Sequence, residues 1–202
     1  MLKPMKKVFF FVFAIAFIGL SLSSCKEDGE VPLEGKSDTV VDTDYTDFKG
    51  ESLKKHGIDA MIMLPDELSN TGASVVPTFD RVEDYLWNIE MGPRFEMSIE
   101  DLGTEENPIA RIKSDLENVG IFKIEYLVDE ADLIMYSRTV KYEDNSDLEV
   151  KKTITYHCAG SKKIDGITYL IKSGKEGVGF PKLIIEDMVK TIRSFEKLDT
   201  ES

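Results

Sequence analysis

Apolar and polar positions alternate along several stretches of the chain, and the period of the alternation separates strands from helices. Between residues 85 and 99, Tyr85, Trp87, Ile89 and Met91 alternate with polar side chains, Gly92-Pro93 interrupts, and Phe95, Met97 and Ile99 resume the pattern. A period of two sends successive side chains to opposite faces, so this stretch predicts a hairpin with its large residues on one side. Asn88, Glu90, Glu96, Ser98 and Glu100 fall on the other. Upstream, Ile58 to Leu64 reads as a buried strand ended by Pro65, with the folded part beginning near Leu53. Downstream, four more strands are expected at Phe122-Ile124-Tyr126, Ile134-Tyr136-Val140, Val150-Ile154-Tyr156-Cys158 and Ile167-Tyr169-Ile171. The polar turns between them, at Asp129-Glu130, Glu143 to Ser146 and Ser161 to Gly166, are short enough to join antiparallel neighbours.

Two segments change to a helical period. Asn107 is placed to cap a helix that Pro108 opens and Gly120 ends, with Ile109, Ile112, Leu116 and Val119 as its stripe. Pro181 opens a second, in which Ile185, Met188, Val189, Ile192 and Phe195 recur on one side and should lie across the sheet. Together these elements predict one α+β domain over residues 51–197, an antiparallel, meander-rich sheet with two packed helices, the second C-terminal. Residues 198–202 are expected to be a disordered tail.

The start of the chain follows a different logic. Lys3, Lys6 and Lys7 form a positive head and Val8 to Leu22 an uncharged apolar run, the layout of a secretory leader. At about fifteen residues the run is shorter than the roughly twenty a membrane-spanning helix needs. Its end, Leu22-Ser23-Ser24-Cys25, resembles a bacterial lipobox. The resemblance implies a signal peptide over residues 1–24, cleavage before Cys25, a diacylglycerol on the Cys25 thiol and acylation of the new amine. Two or more acyl chains make a stable anchor where one holds only marginally. Lys26-Glu27-Asp28 resembles the short export signal of Bacteroidota lipoproteins, which implies the outer membrane and display at the cell surface. From residue 25 to 50 the composition is acidic and lacks an apolar period, as expected of a flexible tether. Asp42, Asp44 and Asp47 lie within it, without the glycine and terminal glutamate that an EF-hand loop requires.

Charge narrows the partners. The chain carries −13, and a leader that takes away three lysines and no acid leaves −16. Such a balance repels nucleic acid and anionic headgroups, so no nucleic-acid partner is expected. Lys151, Lys152, Lys162 and Lys163 read as solvated strand and turn residues rather than a basic patch. With Cys25 lipidated, Cys158 is the one remaining thiol and no internal disulfide can form.

Candidate chemistry is sparse. His157 and Cys158 are adjacent, but in a strand they face opposite sides, which predicts a buried inert thiol beside a surface histidine; a dyad would need His56 to reach Cys158 across the fold. Glu90, Glu96 and Glu100 share a hairpin face and allow a glycosidase-like acid pair or an oxygen-ligated cation, although a solvated face is the default in so acidic a chain, while Tyr85, Trp87 and Phe95 read as core rather than as a carbohydrate or peptide surface. The sequence contains no G-x-S-x-G, Walker, H-E-x-x-H or glycine-rich dinucleotide motif.

In element order, and in the strand Gly166 to Ile171 leading into the helix Met188 to Phe195, residues 55 to 196 resemble the Mog1/PsbP-like α-β-α sandwich. That resemblance implies a bent antiparallel sheet closed by the C-terminal helix in a group that includes binding and assembly factors and shares no catalytic residue. The expectation is a non-enzymatic binding or accessory lipoprotein, held to the membrane through Cys25 and meeting an envelope protein, a peptide or a glycan. No catalytic residue, metal or cofactor is assigned. The alternatives are a hydrolase using a pair of acidic residues and a protective lipoprotein that blocks a toxin or protease.

Overall fold

The structure, a computed structural model, describes residues 44–67, 69, 76–141, 153–174 and 179–198. The leader, Cys25, most of the tether and the Glu143 to Ser146 turn lie outside these residues. The elements are β1 (Phe48–Ser52), β2 (Ala60–Pro65), β3 (Thr78–Glu83), β4 (Leu86–Met91), β5 (Phe95–Asp101), α1 (Pro108–Asn118), β6 (Phe122–Asp129), β7 (Leu133–Val140), β8 (Ile154–Ile164), β9 (Ile167–Ser173), α2 (Lys182–Arg193) and β10 (Glu196–Lys197). The protein is an α+β fold on antiparallel sheets, with its second helix C-terminal.

The larger sheet has seven strands in the order β3-β4-β5-β9-β8-β7-β6, and the smaller is β1-β2-β10. The expected hairpin forms in the register its alternation demands, with Trp87 opposite Ile99, Ile89 opposite Met97 and Met91 opposite Phe95. The strands from β6 to β9 form a meander, and β9 then pairs with β5, so the two halves of the chain make one continuous sheet. Asp165 and Gly166, both at positive φ, make the two-residue turn between β8 and β9. The turn is therefore shorter than the expected Ser161 to Gly166. Ser161, Lys162 and Lys163 belong to β8, and Lys162 forms an ion pair with Asp132 at 3.7 Å.

Each face of the large sheet is covered differently. On one, Met97, Ile99, Met135, Cys158 and Ile171 pack with Ile185, Met188 and Ile192 of α2 and with Ile62 and Leu64 of β2. On the other, Ile134, Tyr136, Ala159 and Leu170 meet Ile109 and Leu116 of α1. The helices thus lie on opposite faces, because the residues they cover alternate along the same strands.

Three expectations about element ends are corrected. Residues 44–50 are not tether: β1 pairs with β2, Tyr45 donates its hydroxyl hydrogen to the Lys190 carbonyl at 3.1 Å, and Lys190 sits over the Phe48 ring. Asn107 does not cap α1 through its side chain; it adopts φ 58°, and its carbonyl accepts from Ala110 N–H at 3.1 Å. Val119, beyond the last turn, is exposed instead of completing the stripe. At the C-terminus, Leu198 N–H still bonds the Asp59 carbonyl at 3.3 Å, so order runs into the first residue of the expected tail.

The seat of α2 depends on Gly160 in β8. A Cβ there would come within 2.4 Å of Ile192 Cγ2 and 3.0 Å of Leu133 Cδ1, both in the packed core. Gly160→Ala should therefore lower stability by about 1–3 kcal/mol in urea unfolding, the usual cost of overpacking. Gly120→Ala, where a Cβ meets nothing within 4 Å, should change it by no more than about 0.5 kcal/mol.

Candidate functional site

Seven strands spaced about 4.8 Å apart present a face nearly 30 Å wide, and a helix with its side chains covers only about 10–12 Å of it. Opposite α1 the protein adds the small sheet to α2, but among the described residues α1 has no companion on its own face. A groove of about 650 Å³ therefore remains between α1 and the β3–β4 hairpin. The connection into α1 is pinned to β9, where Leu102 N–H bonds the Thr168 carbonyl at 2.9 Å and Thr168 N–H bonds the Gly103 carbonyl at 2.7 Å.

The floor is built by strand register. Ala159 lies opposite Lys172, Lys172 opposite Ser98, and Ser98 opposite Asn88, so β8, β9, β5 and β4 each contribute one side chain to a single row. Next to this row stand Tyr136, Arg138 and His157. The walls are apolar: Val82, Tyr85 and Leu86 on the hairpin side, and Ile112, Leu116 and Val119 on the helix side. Val82, Tyr85 and Val119 are large apolar side chains left exposed.

His157 is not the surface residue its alternation suggested. It is 5% exposed, stacked on Tyr136 at 5.3 Å, with Nε2 at 3.1 Å from Thr155 Oγ1. Burial, and secondarily the neighbouring Arg138 guanidinium, lowers its pKa to about 4, so it is neutral at pH 7. Polar alternation located its face correctly and could not show that the face is partly covered. Cys158 does point the other way, into the core under α2, where Ser173 Oγ bonds both its N–H, at 3.0 Å, and its carbonyl, at 3.3 Å. Burial pushes its thiol up to about 12. His56 is remote from both; it stacks on Phe79 at 4.5 Å, and its carbonyl accepts from Trp87 Nε1 at 3.0 Å.

Of the three hairpin acids, Glu90 and Glu96 face each other across β4 and β5, and Glu100 lies in the groove in an ion pair with Lys172 at 3.4 Å. Trp87 and Phe95 are core, whereas Tyr85 stands at the groove edge. Arg138, which sequence reasoning passed over, is the most distinctive residue of the floor. Its Nη2 donates to the Tyr136 hydroxyl at 3.2 Å, and its guanidinium lies over the Phe122 and Tyr136 rings at 5.7 and 5.5 Å. Its Nε is buried without an acceptor, and no carboxylate pairs with it among the described residues. Among those residues no group of three or more His, Cys, Asp and Glu is arranged to hold a metal. A second hollow of about 540 Å³, around Lys49, Lys55 and Met91, abuts residues outside the described set. Compared with known protein families and with curated proteins, the chain matches none.

His157 has a counterpart on the other face. Asp187 of α2 is buried, and desolvation, reinforced by Glu186 and Asp47 against the pull of Lys190, raises its pKa to about 6. The two groups bias stability in opposite directions over one pH range. Below pH 6.5 the unfolded chain protonates His157 before the native state does, so stability is lost as pH falls toward 4. Between about pH 4 and 6 the native state holds a proton on Asp187 that the unfolded chain has released, so stability falls as pH rises. Each shift corresponds to about 3 kcal/mol at most. Comparing urea midpoints at pH 7 and pH 4.5, Asp187→Asn should lose more stability on acidification than the parent chain, and His157→Gln less. A separate check concerns Cys158: in the native protein its peptide should resist iodoacetamide, becoming alkylated, by mass spectrometry, only once the chain is unfolded.

Proposed function

We propose that the mature chain is a lipid-anchored envelope protein that binds a ligand in the groove between α1 and the β3–β4 hairpin. The observation that carries the binding half of this reading is the groove itself. Its volume of about 650 Å³ falls within the range of small-molecule sites, and its apolar walls over a polar floor match their usual composition. The address rests on the charged head, the apolar run and Leu22-Ser23-Ser24-Cys25, with Lys26-Glu27-Asp28 favouring export to the outer membrane and its surface. A binding or accessory role suits this combination, since display on a lipid brings such a site to an envelope protein, a peptide, a glycan or a smaller solute.

Each half has its own test. Cys25→Ala should abolish incorporation of labelled palmitate and release the chain from the membrane fraction; a variant that stays there, when neither form takes up the label, removes the lipoprotein reading. For the groove, neutral para-benzoylbenzamide should photolabel peptides of the β3–β4 hairpin and of α1 in the full chain, saturably. Asn88→Trp, which puts a large ring into the half-buried floor position, should cut that labelling by roughly tenfold, about the 1.4 kcal/mol that separates decades of affinity. Saturable labelling confined to other surfaces would remove the groove as the site.

A further inference from the structure

Resting on the reading of the groove as a binding site, we infer that its ligand is an organic monoanion, a carboxylate joined to an apolar body, with the carboxylate held by Arg138. The groove is a cationic island in an acidic protein. Arg111, Arg138 and Lys172 line it against Glu100 and Asp115, whereas the chain as a whole carries −13. The two acids do not compensate Arg138. Glu100 is engaged by Lys172, and Asp115 stands on an exposed part of the wall where water screens it. Arg111, for its part, bonds Glu105 at 2.9 Å. Only Arg138 sits half-buried on the floor without a carboxylate among the described residues, although acids outnumber bases 38 to 25 along the chain.

A guanidinium so placed is held by the faces of Phe122 and Tyr136, which favour a cation without neutralising it. Among the described residues one of its five donors is used, toward the Tyr136 hydroxyl, and with Nε buried the hydrogens on Nη1 and Nη2 form the end that can face a ligand. The planar fork suits a carboxylate, and His157, neutral at pH 7, adds no second charge. A polyanion fits poorly, because the surrounding acidity opposes each added negative charge while the floor offers one uncompensated cation. The rest of the affinity must then come from burying apolar surface. Val82, Tyr85, Leu86, Ile112, Leu116 and Val119 supply it along the walls.

The test compares para-benzoylbenzoate with its neutral isostere para-benzoylbenzamide on the full chain isolated from membranes, with labelled peptides located by mass spectrometry. The carboxylate probe should half-saturate the groove at a concentration about tenfold or more below that of the amide, as expected of a charge-assisted hydrogen bond. Arg138→Gln should erase that margin and leave labelling by the amide unchanged, and Arg138→Lys should keep part of it. Far-UV circular dichroism checks that the variants fold, and the comparison of probes on the unaltered chain needs no variant. Equal half-saturation, or a margin that survives Arg138→Gln, overturns the anion inference while leaving the groove as a site for neutral ligands. If neither probe labels the groove, the binding reading falls and this inference falls with it.

Discussion

The pairing of β5 with β9 is the contact on which the rest of the structure depends. Up to β5 the chain is a local stack of hairpins, and from β6 to β9 it is a second one; neither stack contains a wide sheet. Joining them aligns Met97 with Ser173, Ile99 with Ile171 and Asp101 with Tyr169, and closes a loop that includes α1 and three strands. The entropic cost of that closure grows only slowly with loop length, whereas the apolar face it completes grows by a whole hairpin. Met97 and Ile99 then share one core with Met135, Cys158 and Ile171, the surface on which α2 and the small sheet rest. The same register aligns Ser98 with Lys172, so one pairing builds the core on one face and the groove floor on the other.

The difference between the faces follows from how much each must cover. The α2 face carries nearly all the large residues and needs both a helix and a sheet to shield them. Tyr169 on Phe195, Trp87 on the His56 carbonyl and Met63 N–H on Ser194 Oγ hold those coverings in place. On the α1 face the strands supply large apolar residues only near β7 to β9, where Ile134, Tyr136, Ala159 and Leu170 gather. Further toward β4 the positions are the small, buried Ser98 and the half-buried Asn88 and Lys172, which need little apolar cover. Leaving part of the face uncovered therefore costs little stability, and the gap beside α1 needs no strain to persist.

Local patterns made much of this visible. The β4–β5 hairpin, α2 and the four meander strands were legible because their signals lie within about a dozen residues and repeat the structural period. The strands that escaped notice, β1, β3 and β10, are short or mostly exposed; Thr78 to Glu83 bury little, so their sequence has no apolar rhythm to detect. Backbone pairing with β2 and β4 holds them instead. The groove was illegible for another reason. Asn88, Ser98, His157 and Lys172 each sit on a strand's polar face, which alternation assigns correctly for the strands it detects, whereas Arg138 shares the face of Ile134 and Tyr136; their convergence requires the neighbour order β4-β5-β9-β8-β7. That order is a property of the non-local pairing. Arg138, in the stretch Tyr-Ser-Arg-Thr, reads as one more solvent-facing base until β6 and β7 place Phe122 and Tyr136 beside it.

Residues 44–48 tie the segment before β1 to the helix on the α2 face. Asp44 accepts from both the N–H and the hydroxyl of Thr46, Tyr45 and Phe48 pack edge to face at 5.5 Å, and Lys190 bonds the Asp44 carbonyl at 3.1 Å. These contacts fasten the entering chain to the last turns of α2, on the face of the large sheet opposite α1. The same segment continues into β1, which pairs with β2, so residues 44–52 belong to the covering of the α2 face and leave the groove floor of β5, β8 and β9 untouched.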